Sequence, residues 1–249
     1  MFERETLDNL VQQLSGGRFR ANMNLYDSQF EAYISHLRQT LPSATLDTIY
    51  MVGVASLFAI IFGMIIGCSL YFTSPTGIYP LSIYNKVVGF IINIGRSIPF
   101  VVLIMLVFPL ARHIVGTSIG SRAAIVPLTI AAIPFMSRVV EATLHELGHG
   151  IIEAAISAGA TTRQLIFRVI LPEAAPGLVA GFTLLIINLI TFSAMAGMVG
   201  GGGLGDVAIS YGMNRHRRDI LAYTVIILVI LVQIVQVVGT FISRKLDKR

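Results

Sequence analysis

The chain has 249 residues, 55% of them hydrophobic and only 12% charged, with a mean hydropathy of +0.78 and a formal net charge of +5. A soluble domain of this size is about half apolar but near a quarter charged, so the charge deficit excludes an ordinary water-soluble globule. The positive balance does not point to nucleic acid, because no basic groove is interleaved with aromatics.

In chain order, residues 1–45 come first. Glu3, Arg4, Glu5 and Asp8 stand where a secretory leader would carry basic and then apolar residues, so no signal peptide is expected. Leu7, Leu10, Val11 and Leu14, then Phe30, Ile34, Leu37 and Leu41, recur at helical spacing. They predict two amphipathic helices in an N-terminal extension that lies at the interface or in the periplasm, with contact to an outside partner as the alternative. Residues 46–243 then form the membrane domain. Thr48–Phe72 is a run of 25 uncharged residues, long enough to cross roughly 30 Å of hydrocarbon. Cys68, the sole cysteine, lies in it as a small packing residue. A second span is predicted over 87–111 with Arg96 inside it, a third over 118–139, a fourth over 176–199 and a fifth over 220–243. Residues 140–175 form the one long polar loop, and 244–249 a basic tail.

An odd number of spans places the two termini on opposite sides. With loop 140–175 in the cytoplasm, the N-terminus is outside and the C-terminus inside. Lys and Arg then divide nine against nine, or nine against five once the four in the N-terminal tail are set aside. That leans toward this orientation, and Arg244, Lys245, Lys248 and Arg249 directly after the last span are its cleanest support.

Within the loop, Ile151–Ala158 has strong helix formers, Gly159 can end that helix and Thr161 can cap the next, Arg163–Ile170. Pro172 and Pro176 are expected to stop this second helix before the fourth span. Such an elbow has few apolar partners of its own and calls for a cytoplasmic protein to cover it.

The spacing Glu153-Ala154-Ala155, Gly159, Leu171-Pro172 resembles the Glu-Ala-Ala motif of ABC importer permeases, with Val169 where that family usually has Ile. Arg96-Ser-Ile-Pro-Phe100, Ala124-Ile-Val-Pro-Leu128 and Ser193-Ala-Met-Ala-Gly-Met198 narrow the likeness to the methionine importer permeases, from about Leu46 to Arg249. The extension 1–45 and Arg215–Arg218 depart from the family pattern. The resemblance implies an all-α, five-span protein of the bacterial inner membrane with the type I importer fold. It further implies a homodimer, two ABC ATPase subunits below it and a substrate-binding lipoprotein in the periplasm. Glu153, Ala154, Ala155, Gly159, Leu171 and Pro172 would form the coupling helix that the ATPase grips. The chain has no Gly-x-x-x-x-Gly-Lys-Ser/Thr loop, so ATP and Mg would be bound by the partner, with no cofactor and no metal in this chain.

Arg96 in an apolar run costs roughly 2.5–3.5 kcal/mol on insertion scales, so it should gate a path, line an interface or snorkel to headgroups. Asn188, Gln233 and Gln236 are expected to hydrogen-bond between helices. Ser193, Met195 and Met198 are candidate pore residues, small or polarizable enough for an apolar thioether solute, with plain helix packing as the alternative. Gly200–Gly203 marks a sharp turn or close approach at the outer mouth.

A permease for another small amino acid or solute fits the same motif. His145-Glu146-Leu147-Gly148-His149 is a literal His-Glu-x-x-His, which on one continuous helix would suit a membrane zinc metallopeptidase. The continuation for a third ligand is absent, since Ile152 and Ala155 stand where Gly and His would be needed. An ion-coupled transporter would need paired intramembrane carboxylates, and the three cleanest spans hold none.

Overall fold

Apolar runs this long leave a helix as the economical way to satisfy every backbone donor and acceptor. A computed structural model describes Ser35 and residues 39–247 of the chain, and all the regular structure among them is helical. Apart from Ser35, residues 1–38, which hold most of the amphipathic helices expected within 1–45, lie outside the described residues, as do the last two residues of the basic tail. Residues Ala44–Arg249 form one unit.

Helix α1 is Gln39–Phe72. Helices α2, Ser82–Ser97, and α3, Phe100–Val115, follow, then α4, Ser121–His145, and the short α5, His149–Ser157. Helix α6 runs Thr162–Gly197, α7 is Gly203–Val207 continuing into the wide π-helical turn Ala208–Met213, and α8 is Arg218–Leu246. Four of these, α1, α4, α6 and α8, are each long and apolar enough to cross a membrane.

The stretch 87–111 is not one continuous helix. It is the pair α2 and α3, bent by 103°. Pro99 is the cause: it lacks a donor and pushes the preceding Ile98 out of the helical region, to φ −81° and ψ 122°. The third span also differs from 118–139, because α4 continues to His145 and takes in the first residues of the expected loop.

Pro172 and Pro176 do not stop the helix that precedes them. A π-helical turn over Leu165–Ile170 widens the ladder, so that Leu171 N–H donates to Ile166 O five residues back. The chain passes from this turn into α-helix with Pro172 in the first turn, where a missing donor costs little. The second half of the polar loop, from Thr162, and the fourth span are therefore one helix of 36 residues.

Helix α4 sits at the centre. In its most apolar window 56% of the residues are buried, against 6% in α8. Two Gly-x-x-x-Gly sequences, Gly63…Gly67 on α1 and Gly177…Gly181 on α6, meet the same stretch of α4. A Cβ on Gly63 or Gly67 would strike Met136 or Ser137 and Val140; one on Gly177 or Gly181 would strike Thr143 or Val139. Small residues let backbones approach where lipid supplies no hydrophobic drive between helices. On a third side Gly95 and Gly89 of α2 lie against Pro134 and Arg138. These pairings run α1 parallel to α4, and α2 and α6 antiparallel to it. Gly239 against Thr183 and Ser243 Oγ on Pro176 O at 2.8 Å turn α8 antiparallel to α6. The start of α1 and the end of α8 consequently lie at opposite ends of the bundle.

Candidate coupling elbow and solute pathway

At the end of the bundle that holds His145 and Ser243, α5 and the start of α6 form an elbow. Helix α5 closes with two bonds: Gly159 N–H to Ile156 O at 2.9 Å and Ala160 N–H to Ala155 O at 3.0 Å. This closure needs a left-handed residue, and Gly159 has φ +77°. Thr161 opens α6 with a reciprocal cap: Gln164 N–H donates to Thr161 Oγ1 at 3.4 Å, and Thr161 N–H to Gln164 Oε1 at 2.9 Å. Tyr79 OH and Thr162 Oγ1, 3.1 Å apart, tie the elbow to the chain after α1.

The six motif residues divide between two surfaces. Ala155 and Leu171 pack partly against the core, as does Ile152. Glu153, Ala154, Gly159 and Pro172 are exposed. Among the described residues Glu153 has no hydrogen-bond or ion-pair partner. The elbow also exposes Ile156, one turn on from Glu153 and 56% exposed, and Phe167 at the start of α6, 63% exposed, neither of which the motif includes. Sequence reasoning passes over them because apolar residues on a membrane helix carry no special signal. A cleft of about 590 Å³ adjoins this surface and is lined by Glu146, Arg168 and Pro172 among others.

The four pore candidates do not come together. Ser193 is buried and its hydroxyl donates to Ile190 O in its own helix at 2.7 Å. Met195 packs partly against the core, and Met198 is exposed. The small residues around them serve an approach within the chain: a Cβ on Gly197 would strike Asp206 N, and one on Gly205 would strike Ala194 O. Gly200, Gly202 and Gly203 all have positive φ, and Gly120 N–H donates to Gly200 O at 2.8 Å. The glycine run is thus a fixed turn.

Arg96 stands apart from these, exposed in the last turn of α2. It lines a cavity of about 300 Å³ together with Phe100, Phe135, Asn188 and Phe192. Phe100 and Phe192 stack there with centroids 4.5 Å apart and planes within 6°. Asn188 makes no bond to another helix among the described residues, contrary to the role expected of it, and Gln236 bonds Thr240 in its own helix at 3.1 Å. On the far side of Arg96, Arg138 is held by Glu141 at 2.6 Å, Gly89 O at 2.8 Å and Asn93 Oδ1 at 3.0 Å, which fastens α2 to α4.

The His-Glu-x-x-His sequence straddles a break. His145 ends α4, with its ring edge-on to Tyr71 at 5.0 Å, and His149 begins α5. The continuous helix that would set both imidazoles on one face is absent, so the peptidase reading loses its geometric basis.

Residues 59–249 match the family described as the inner membrane component of binding-protein-dependent transport systems. The chain belongs to that family. It is 47% identical over 209 residues to the probable D-methionine transport system permease protein MetI of Vibrio cholerae, covering 84% of this chain and 93% of the relative. It is 39% identical over 221 residues to the methionine import system permease protein MetP of Bacillus subtilis, covering 88% and 100%. Among solved structures, a chain of the inward-facing MetNI methionine ABC transporter superposes with a TM-score of 0.83 at 41% identity, over 85% of this chain and 98% of that one. An amino acid ABC transporter at 18% identity and a TM-score of 0.71 shares the fold alone. The chain is an all-α, multi-pass inner-membrane transport subunit with the type I importer fold, and not an enzyme.

Proposed function

We propose that the chain is the permease subunit of an ATP-driven importer for methionine, working by alternating access. The single observation that carries the reading is the superposition on the MetNI chain at 41% identity, over 98% of that chain's length. In this reading the permease acts as a homodimer. Two ABC ATPase subunits bind ATP and Mg and grip the elbow through Glu153, Ala154, Ala155, Gly159, Leu171 and Pro172. A substrate-binding lipoprotein delivers the solute on the other side. An exposed, unpartnered Glu153 on an elbow that also exposes Ile156 and Phe167 supports the docking role, because a surface that is part apolar and part charged suits a protein cleft better than water or lipid. Closure of the ATPase pair would move α5 and the start of α6. Since α6 is one helix from Thr162 to Gly197, that motion would reach the opposite end of the bundle without passing through a hinge.

The elbow faces the cytoplasm in this reading, with the N-terminus outside and the C-terminus inside. Arg163, Arg168, Arg244 and Lys245 cluster at the elbow end, as the positive-inside rule favours. A permease for another small amino acid would have the same elbow, and cargo separates the two.

The test is co-expression with the ATPase and the binding protein, followed by reconstitution into vesicles. ATP-dependent uptake of labelled methionine that Glu153→Lys abolishes, with the variant still inserted but no longer retaining the ATPase, is the expected result. A permease that pulls down no nucleotide-hydrolysing subunit, or a Glu153→Lys variant that retains it normally, overturns the reading.

A further inference from the structure

Both cavities beside Arg96 open along one stripe of α4. Ala131 and Phe135 line the upper one, and Phe135, Arg138, Ala142 and His145 the second, of about 440 Å³. The spacing of four, three, four and three residues puts all five on one helical face. From Ala131 to His145 that face runs about 21 Å, more than half the thickness of a hydrocarbon core. Arg96 and Phe135 line both cavities, so the two lie on either side of these side chains.

The junction is chemically unbalanced. Arg138 has its carboxylate in Glu141, whereas Arg96 has neither an ion pair nor a hydrogen bond among the described residues. No Asp or Glu lines the upper cavity. Its other side-chain polar group, the Asn188 amide, is likewise without a partner there. Arg96 faces α4 near Phe135, ten residues and about 15 Å from the His145 end, well short of where a snorkelling side chain ends. An exposed guanidinium with no counter-charge, on the wall of an apolar groove, has its donors open to an anion arriving in the cavity. The volume of about 300 Å³ is at the small end of ligand sites and suits one amino acid. Stacked Phe100 and Phe192, with Phe135, supply apolar walls for a slender side chain.

We propose that this groove is one protomer's share of the solute path, and that Arg96 and Asn188 form in it a transit site for the carboxylate of a zwitterionic amino acid whose side chain lies among Phe100, Phe135 and Phe192. The proposal rests on the importer reading given above and adds the site within the membrane. The guanidinium holds the carboxylate, the amide donates to its second oxygen, and the ammonium stays in water, because the upper cavity offers it no counter-charge and Glu141 in the second is already paired with Arg138. Side-chain identity is then read loosely, by size and apolarity, and the carboxylate strictly.

The experiment measures solute taken up per ATP hydrolysed by the complete transporter in vesicles, with loaded binding protein at saturation. Arg96→Gln should lower that ratio tenfold or more while ATP hydrolysis stays within about twofold. Arg96→Lys, which keeps a charge, should lower it less than threefold, and Asn188→Leu should lower it by an intermediate factor. An unchanged ratio in Arg96→Gln overturns the proposal, as does a parallel fall in uptake and hydrolysis, which would mark Arg96 as structural. Should Arg96→Gln fail to assemble, Asn188→Leu decides by the same ratio. A wild-type transporter that moves no amino acid would overturn the importer reading itself, whereas normal wild-type uptake with indifferent variants would overturn the transit site alone.

Discussion

Single residues set the geometry of the elbow. Gly159 lies at φ +77° with open space around it, so a side chain there meets no neighbour and the cost of Gly159→Ala is backbone strain alone, about 1–2 kcal/mol. Thr161→Ala removes the reciprocal cap at the start of α6 and should cost about 1 kcal/mol. Thermal unfolding of the purified permease would show both as modest losses, and ATPase retention should fall more for Gly159→Ala because it redirects the exit from α5. If Gly159→Ala leaves both unchanged, the turn does not position the elbow. Both roles are legible in sequence, since a glycine after a run of helix formers and a threonine three residues before a glutamine are local signals. The exposure of Ile156 and Phe167 is not, because it depends on what the rest of the fold leaves uncovered.

Among whole elements the seating of α4 between α1 and α6 is the feature that controls stability. A Cβ on Gly181 would strike Val139 Cγ1, while Val139 Cβ lies 3.8 Å away. Gly181→Ala should destabilise by about 1–3 kcal/mol through overpacking. Val139→Ala in the same chain removes the obstructing methyl and should recover most of that loss, giving a coupling of about 0.5–3 kcal/mol in a double-mutant cycle. Additive losses would show that the helices do not approach there. A second joint ties α1 to α7, where buried Thr48 Oγ1 accepts from Leu204 N–H at 2.9 Å. Thr48→Val strands that donor and should cost about 1–3 kcal/mol, read as lower thermal stability in detergent. The Gly-x-x-x-Gly spacings are written in the sequence, but nothing local says that both meet one stretch of a third helix.

Across the whole molecule, the antiparallel and parallel pairings fix which ends lie together but leave open which end faces which side of the membrane. Cysteine accessibility distinguishes the two. The lone Cys68 is half-buried and replaceable by Ala in a background without cysteine. In intact cells a membrane-impermeant maleimide should label Asn214→Cys, beyond α7, and should reach Ser157→Cys, at the elbow, only after the membrane is opened. The reverse pattern would place the elbow outside and remove any access for a cytoplasmic ATPase. Composition alone determined that this is a helical membrane protein, since the long uncharged runs can satisfy their backbone only as helices. The motif spacing identified the elbow, because caps and turns are decided within a few residues. Tertiary structure decided the rest. It divided 87–111 at Pro99, carried α6 through two prolines by widening a turn, set Gly197 near Ser193 against the backbone of α7, and left Arg96 and Asn188 facing a cavity. Those outcomes depend on which faces meet across distant parts of the chain, and a side chain's partner, or its lack of one, exists only once the helices are packed.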